Sequence, residues 1–214
     1  MRRVRRRGRL VALEGIDGAG KSSLARSLAA ALRRRGLSVR LRREPADRRI
    51  GLLAQHAGTR DPWTGAIYFT VDRHLARAGL ERDLARYDIV LTDRSYFSTL
   101  AYQGSLLPAE ELRRLTELEH RATRGPDLVI LLDLPVDLAL PRVGSRAARL
   151  GLARGPLERT RTLARVARSY RELSRRHRWI VLDARRPRPE LLRQALVRLG
   201  LEAPRGGPRA KGNR

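Results

Sequence analysis

The chain has 214 residues, 42% of them hydrophobic, enough for one compact enzyme domain, and no run of about 18 apolar residues is present to span a bilayer. Its formal net charge of +25 comes from 47 basic residues of which only Lys21 and Lys211 are lysine, so the excess is arginine spread along nearly every segment, as a coding bias would leave it. Cysteine is absent, which excludes disulfides and thiolate metal sites, and the four histidines lack paired ligand spacing, so a bound metal is expected to be oxygen-ligated.

Residues 1–8 form a basic extension without the apolar stretch of a secretory signal, and a cytoplasmic location is expected. Apolar runs of strand length then fall at Arg9 to Glu14, Ser38 to Arg42, Asp88 to Thr92, Asp127 to Leu132 and Trp179 to Leu182. Helical patterns lie between them, at Ser22 to Arg35, Ala66 to Arg86, Pro108 to Thr123, Val136 to Leu150 and Leu157 to Arg176. This alternation predicts an α/β fold with a five-stranded parallel sheet covered by helices on both faces, in one domain over residues 9–202. The Gly-, Pro- and Arg-rich stretch at 203–214 reads as a disordered basic tail. Each strand ends at or just before an acid, Glu14, Glu44, Asp93, Asp133 and Asp183, and in an open α/β sheet the carboxyl ends of the strands face the ligand crevice.

The segment Gly15-Ile16-Asp17-Gly18-Ala19-Gly20-Lys21-Ser22 matches G-x-x-x-x-G-K-[ST] between a strand and a helix, the context that a P-loop requires. Glycines let backbone N–H groups, up to that of Ser23, converge on phosphate oxygens, and the following helix adds the positive end of its dipole. One of the chain's two lysines stands where it would reach the β and γ phosphates of ATP, and the Ser22 hydroxyl is placed for Mg2+. No N-K-x-D guanine-reading sequence is present. Asp93-Arg94 at the third strand end supplies a second metal-side oxygen and a cation to neutralise the phosphates.

Four motifs in order resemble the thymidylate kinase family: the P-loop with Asp17, Arg43-Glu44-Pro45, Phe69-Thr70-Val71-Asp72-Arg73, and Asp93 to Gly104. With Asp133-Leu134-Pro135, Leu157-Glu158-Arg159 and Tyr170, the resemblance covers roughly residues 9 to 200. It implies a P-loop NTPase fold and ATP-dependent, Mg2+-assisted phosphorylation of dTMP by a homodimer. Phe69 would stack on thymine, Arg73 would bond a base carbonyl, and Thr99 or Ser98 would meet the pyrimidine edge. Tyr102, with Gln103 beside it, would exclude a ribose 2′-hydroxyl, and Asp17 would contact the sugar 3′-hydroxyl or the acceptor phosphate region. Arg43 and Arg94 would clamp the acceptor phosphate, while Glu44 and Asp93 would order water and Mg2+. A lid at about 142–156 would contribute catalytic arginines, Arg146 and Arg149, because the position where some members carry a P-loop arginine is Gly18 here.

Three departures bear on the acceptor and lid. Ser95 stands where the family often has Tyr, Ala46-Asp47-Arg48 replaces a Gly-Gly-Thr, and Pro141 interrupts the helix leading into the lid. Two other readings stay open at this point: a kinase for another nucleoside or nucleotide, and a basic P-loop ATPase that binds nucleic acid.

Overall fold

The computed structural model describes residues 7–149 and 160–201, with the backbone alone at 146–149. The extension at 1–6, the lid residues 150–156 and the tail from 202 onward lie outside the described residues. Five strands, β1 (Arg9–Glu14), β2 (Val39–Arg43), β3 (Ile89–Asp93), β4 (Leu128–Asp133) and β5 (Ile180–Asp183), form one all-parallel sheet in the order β2-β3-β1-β4-β5. Its apolar residues divide by alternation between the two faces. Val11 and Leu13 join the core beneath α1 (Lys21–Arg34), whereas Leu10 and Ala12 meet residues of the opposite face. Leu13, Leu91 and Ile130 are fully buried, and each such side chain contributes about 1.5–3 kcal/mol of burial free energy.

Seven further α-helices are described: α2 (Arg48–Gly58), α3 (Pro62–Arg86), α4 (Tyr96–Tyr102), α5 (Ala109–Ala122), α6 (Val136–Arg149), α7 (Thr160–Arg176) and α8 (Arg188–Arg198). α1 packs with α8, while α3, α4 and α5 pack together on the other face and α7 lies against β4 and α4. All five expected strands are present within a residue or so of their expected bounds. α2, α4 and α8 lie in segments where no helix is expected from periodicity. Asp47 starts α2 by accepting hydrogen bonds from the backbone N–H groups of Arg49 and Ile50, and Asp61 does the same at the head of α3 for Trp63 and Thr64.

α6 runs through Pro141 instead of breaking there. Pro141 is exposed, while Ala139 and Val143 on the buried side press against the P-loop, so tertiary contact holds the helix across the missing N–H donor.

From β1 the chain passes outward to β2, returns to β3, and then crosses β1 to reach β4. The crevice at the carboxyl ends of β1 and β3 sits where this order reverses, and the register places Asp93 beside both Leu13 and Arg43.

Candidate active site

The P-loop leaves β1 at Gly15, whose φ of +140° and tight fit leave no room for a side chain: a Cβ there would lie 2.6 Å from the Leu132 carbonyl oxygen. Gly18, at φ +84°, is equally constrained, with a Cβ placed 2.7 Å from the Ala139 carbonyl oxygen of α6. No arginine fits the loop at that position. Ile16 and Ala19 are buried, anchoring the loop, while Gly20 at its crest is exposed and Ser22 and Ser23 on the first turn of α1 are half-buried.

Lys21 Nζ donates to the carbonyl oxygens of Gly15 and Ile16, both at 2.9 Å, which folds the lysine back across its own loop. Burial, reinforced by the Arg94 charge, lowers its pKa to about 8. A polyanion arriving in the loop would restore full charge and draw the ammonium onto phosphate. The Ser22 hydroxyl donates to the Asp93 carboxylate across the crevice, so both expected metal-side oxygens converge on one point. That donor set is oxygen-only and suits a hard cation such as Mg2+. Among the described residues no group of three or more His, Asp or Glu could form a protein-only metal cage, so substrate phosphates would have to complete the coordination.

Arg94 follows Asp93 in a left-handed conformation, φ +82°, a cost of about 1–3 kcal/mol for a residue with a side chain. The strain is held by its N–H bond to the Leu13 carbonyl and by a guanidinium that bonds Asp17 Oδ1 at 2.8 Å and Ser98 Oγ at 3.0 Å. Burial opposes its charge, but Asp17 holds the pKa well above the ordinary range. Tyr102 closes the other side, its ring centroid 5.1 Å from Arg94 Cζ. The Tyr102 hydroxyl donates to Asp17 Oδ2 and accepts from the Asp17 backbone N–H, both at 3.0 Å. A P-loop acid, a strand-end arginine and a helix tyrosine therefore form one unit.

Beneath it lies Glu14, fully buried at the end of β1 and accepting from Ser95 N and Oγ, Ser98 Oγ and Tyr170 Oη at 2.7–2.9 Å. This explains Ser95: its hydroxyl satisfies Glu14 and its position caps α4, for which a tyrosine ring at the same site could not substitute in kind. Glu14 ties α4 and α7 to the root of the P-loop.

The base-reading candidates sit on α3 and α4. Phe69 is half-buried one turn before Arg73 on α3. Arg73 is buried and donates to Glu44 Oε2, Glu119 Oε1 and Thr99 Oγ1, each at 2.6 Å. Despite desolvation, these two acids hold its pKa above the usual range, whereas burial of Glu44 pushes that carboxyl up to about 7 against the pull of Arg73. Asp72 does not pair with Arg73; it turns the other way and accepts from the backbone N–H groups of Ala46 and Asp47, fixing the loop after β2. Arg43 is exposed at the end of β2 and lines a shallow pocket together with Glu44, Asp72 and Arg73. Gln103 is buried at the end of α4 close to Gly58 of α2.

Of the expected lid arginines, Arg146 and Arg149 have side chains outside the described residues. Arg142, one turn earlier on α6, donates to the Gly18 carbonyl at 3.4 Å and brings a guanidinium to the tip of the P-loop. Glu119 was not identifiable as a site support from spacing, and Glu14 and Asp72 were readable only as a strand-end acid and a motif residue, because the partners of all three lie 25 to 156 residues away.

The family model for thymidylate kinase matches residues 13–196. The chain is 38% identical over 218 residues to the thymidylate kinase of Thermomicrobium roseum, covering 94% of this chain and 98% of that one. It is 33% identical over 189 residues to the probable thymidylate kinase 1 of Saccharolobus solfataricus, covering 88% and 95%, and 38% identical over 195 residues to the thymidylate kinase of Xanthomonas oryzae pv. oryzae, covering 88% and 81%. A P-loop joined through Asp17 to Arg94 and Tyr102, an arginine seated among Glu44, Thr99 and Glu119, and near-complete coverage of these relatives agree: the chain belongs to the thymidylate kinase family.

Proposed function

We propose that the chain transfers the γ-phosphoryl group of ATP to the 5′-phosphate of dTMP, releasing dTDP and ADP, with the kinase unit spanning residues 9–202. The observation that carries this assignment is the Asp17–Arg94–Tyr102 unit, which couples the donor loop to the residues that would form the wall for the acceptor phosphate and deoxyribose. Gly15 to Ser23 would wrap the triphosphate and Lys21 would leave its loop carbonyls for the β and γ phosphates. Ser22 and Asp93 would hold Mg2+, which would supply positive charge to neutralise the phosphates.

An acceptor phosphate oxygen forms the new bond to the γ-phosphorus as the bond from that phosphorus to the β,γ-bridging oxygen breaks, and ADP leaves with the electron pair. The acceptor is already ionised at neutral pH, so the residues supply alignment and positive charge and no strong base is required. Arg43 and Arg94 would clamp the acceptor phosphate, Phe69 would stack on the base, Arg73 would donate to a base carbonyl, Ser98 or Thr99 would meet the pyrimidine edge, and Tyr102 with Gln103 beside it would face the sugar. Glu44 would order water beside the metal. Arg146 and Arg149 of the lid, following Arg142, would close over the transferring group and exclude water.

A homodimer belongs to the same proposal. Leu52 and Leu53 on α2 and Ile67, Val71 and Leu75 on α3 are 41–67% exposed, an apolar surface on two helices packed against each other. A second copy is the occupant that resemblance to the family implies, and Leu75→Glu with Val71→Glu is expected to shift the sedimentation coefficient to that of a monomer. No described helix is long and apolar enough to cross a membrane, and a cytoplasmic location, where ATP and deoxynucleotides are held, is testable by fractionation.

The assignment is tested by turnover with Mg2+ and ATP against dTMP, dUMP, dCMP, UMP, AMP and no acceptor, with Lys21→Ala as control. Preference for dTMP that disappears in the control supports it. Preference for another monophosphate keeps the phosphotransferase and rejects thymidylate, and turnover indifferent to acceptor identifies an ATPase.

A further inference from the structure

Arg73 is held from three sides, and one of its partners comes from an element outside the recognised motifs. Glu119 lies on α5, 46 residues along the chain, with a side chain 0% exposed. Its Oε1 accepts from both Arg73 Nη1 at 2.6 Å and Thr70 Oγ1 at 2.9 Å, while its Oε2 is buried without a hydrogen-bond partner. A carboxylate used only to fill α5 would be poorly chosen, because a half-satisfied buried acid is generally no better for stability than an apolar residue of the same volume. What Glu119 does supply is direction. Glu44 takes the Nε–H, Thr99 takes a hydrogen of Nη2, and Glu119 takes one of Nη1, so the guanidinium plane cannot pivot towards either acid alone. Nη2 also donates to the Ser95 carbonyl at 3.5 Å, which leaves one N–H of Nη1, and a fixed donor with no acceptor character donates to a base carbonyl and leaves an exocyclic amine unpaired.

We propose that Glu119 is a positioning residue which, acting through Arg73, makes the acceptor site select a pyrimidine bearing a carbonyl over one bearing an exocyclic amine. Thr70 on α3 is the second support, since its hydroxyl fixes the Glu119 oxygen that Arg73 uses. This inference rests on the dTMP kinase assignment.

The experiment uses the full chain with ATP and Mg2+, and measures kcat and KM for dTMP, dCMP and ATP in wild type, Glu119→Met, Glu119→Gln and Thr70→Val, each checked for its thermal midpoint. Glu119→Met is expected to raise the KM for dTMP and lower the dTMP-to-dCMP selectivity, each on the order of tenfold or more, with the KM for ATP unchanged. Glu119→Gln keeps a carbonyl that accepts from Arg73 and Thr70, and is expected to stay within about threefold of wild type. Unchanged selectivity in Glu119→Met, or equal losses for ATP and acceptor, overturns the inference. Should Glu119→Met fail to fold, Thr70→Val decides: it retains the charge but frees the carboxylate, so a selectivity several-fold lower supports the proposal and an unchanged one overturns it. Wild-type protein that does not phosphorylate dTMP removes the functional assignment and this inference together, whereas active wild type with an indifferent Glu119→Met removes the inference alone.

Discussion

Tyr102→Phe isolates the contact that couples the P-loop to the acceptor wall. Burial and the Asp17 carboxylate push the Tyr102 pKa up, so its hydroxyl remains a donor at neutral pH. Its removal deletes the donation to Asp17 Oδ2 and leaves the Asp17 backbone N–H without that acceptor, each a 3.0 Å bond, while the ring stays beneath Arg94. Loss of a hydrogen bond to a charged group together with a second, neutral one corresponds to about 2–3 kcal/mol, with the lower end favoured because the Asp17 side chain is 23% exposed. In a chain of this length that is a fall in thermal midpoint of about 5–10 °C, read by calorimetry or circular dichroism. The KM for the acceptor should rise, while discrimination against a ribose 2′-hydroxyl should persist if the ring provides it as proposed. A variant with wild-type stability and acceptor KM would refute the coupling.

Gly18→Ala forces a side chain into a left-handed position 2.7 Å from the Ala139 carbonyl, and is expected to cost about 1–3 kcal/mol and to raise the KM for ATP. Wild-type values in thermal melting and ATP kinetics would contradict the packing of α6 on the loop. Glu44, with a folded pKa of about 7, is protonated in the folded protein over a range where the unfolded chain, near the ordinary glutamate value, is ionised. The folded state therefore binds more protons between the two values, and this contribution to stability is complete below the unfolded pKa and lost as pH rises through about 7. Denaturant titrations from pH 5 to 8 should show wild type losing stability relative to Glu44→Gln as pH rises; parallel curves would refute the assignment.

The parallel sheet was legible because strands buried on both faces leave dense apolar runs, as in Leu128 to Leu132, each closed by an acid. α4 escaped because its seven residues are all buried, which erases the one-sided pattern that marks a helix. α2 was hidden by the polar residues around Asp47, although Asp47 followed by Ile50, Leu53 and Ala54 carries both a cap and a spacing that could have revealed it. Pro189 in the first turn of α8 was a comparable signal. In the site, the P-loop and Asp93-Arg94 were readable because their chemistry is local. The pairing of Glu14 with Tyr170, or of Arg73 with Glu119, depends on how α7 and α5 dock on the sheet, and one sequence does not encode that in any spacing.

The stoichiometry of phosphoryl transfer tests the central claim most directly: ADP and dTDP quantified together by anion-exchange chromatography, with Mg2+ and ATP, in the presence and absence of dTMP. Equal amounts of ADP and dTDP, and negligible ADP without dTMP, are expected if the hydrogen-bonded Asp17–Arg94–Tyr102 unit joins the two substrates as proposed. ADP released at an undiminished rate without dTMP, or in excess of dTDP, would contradict it.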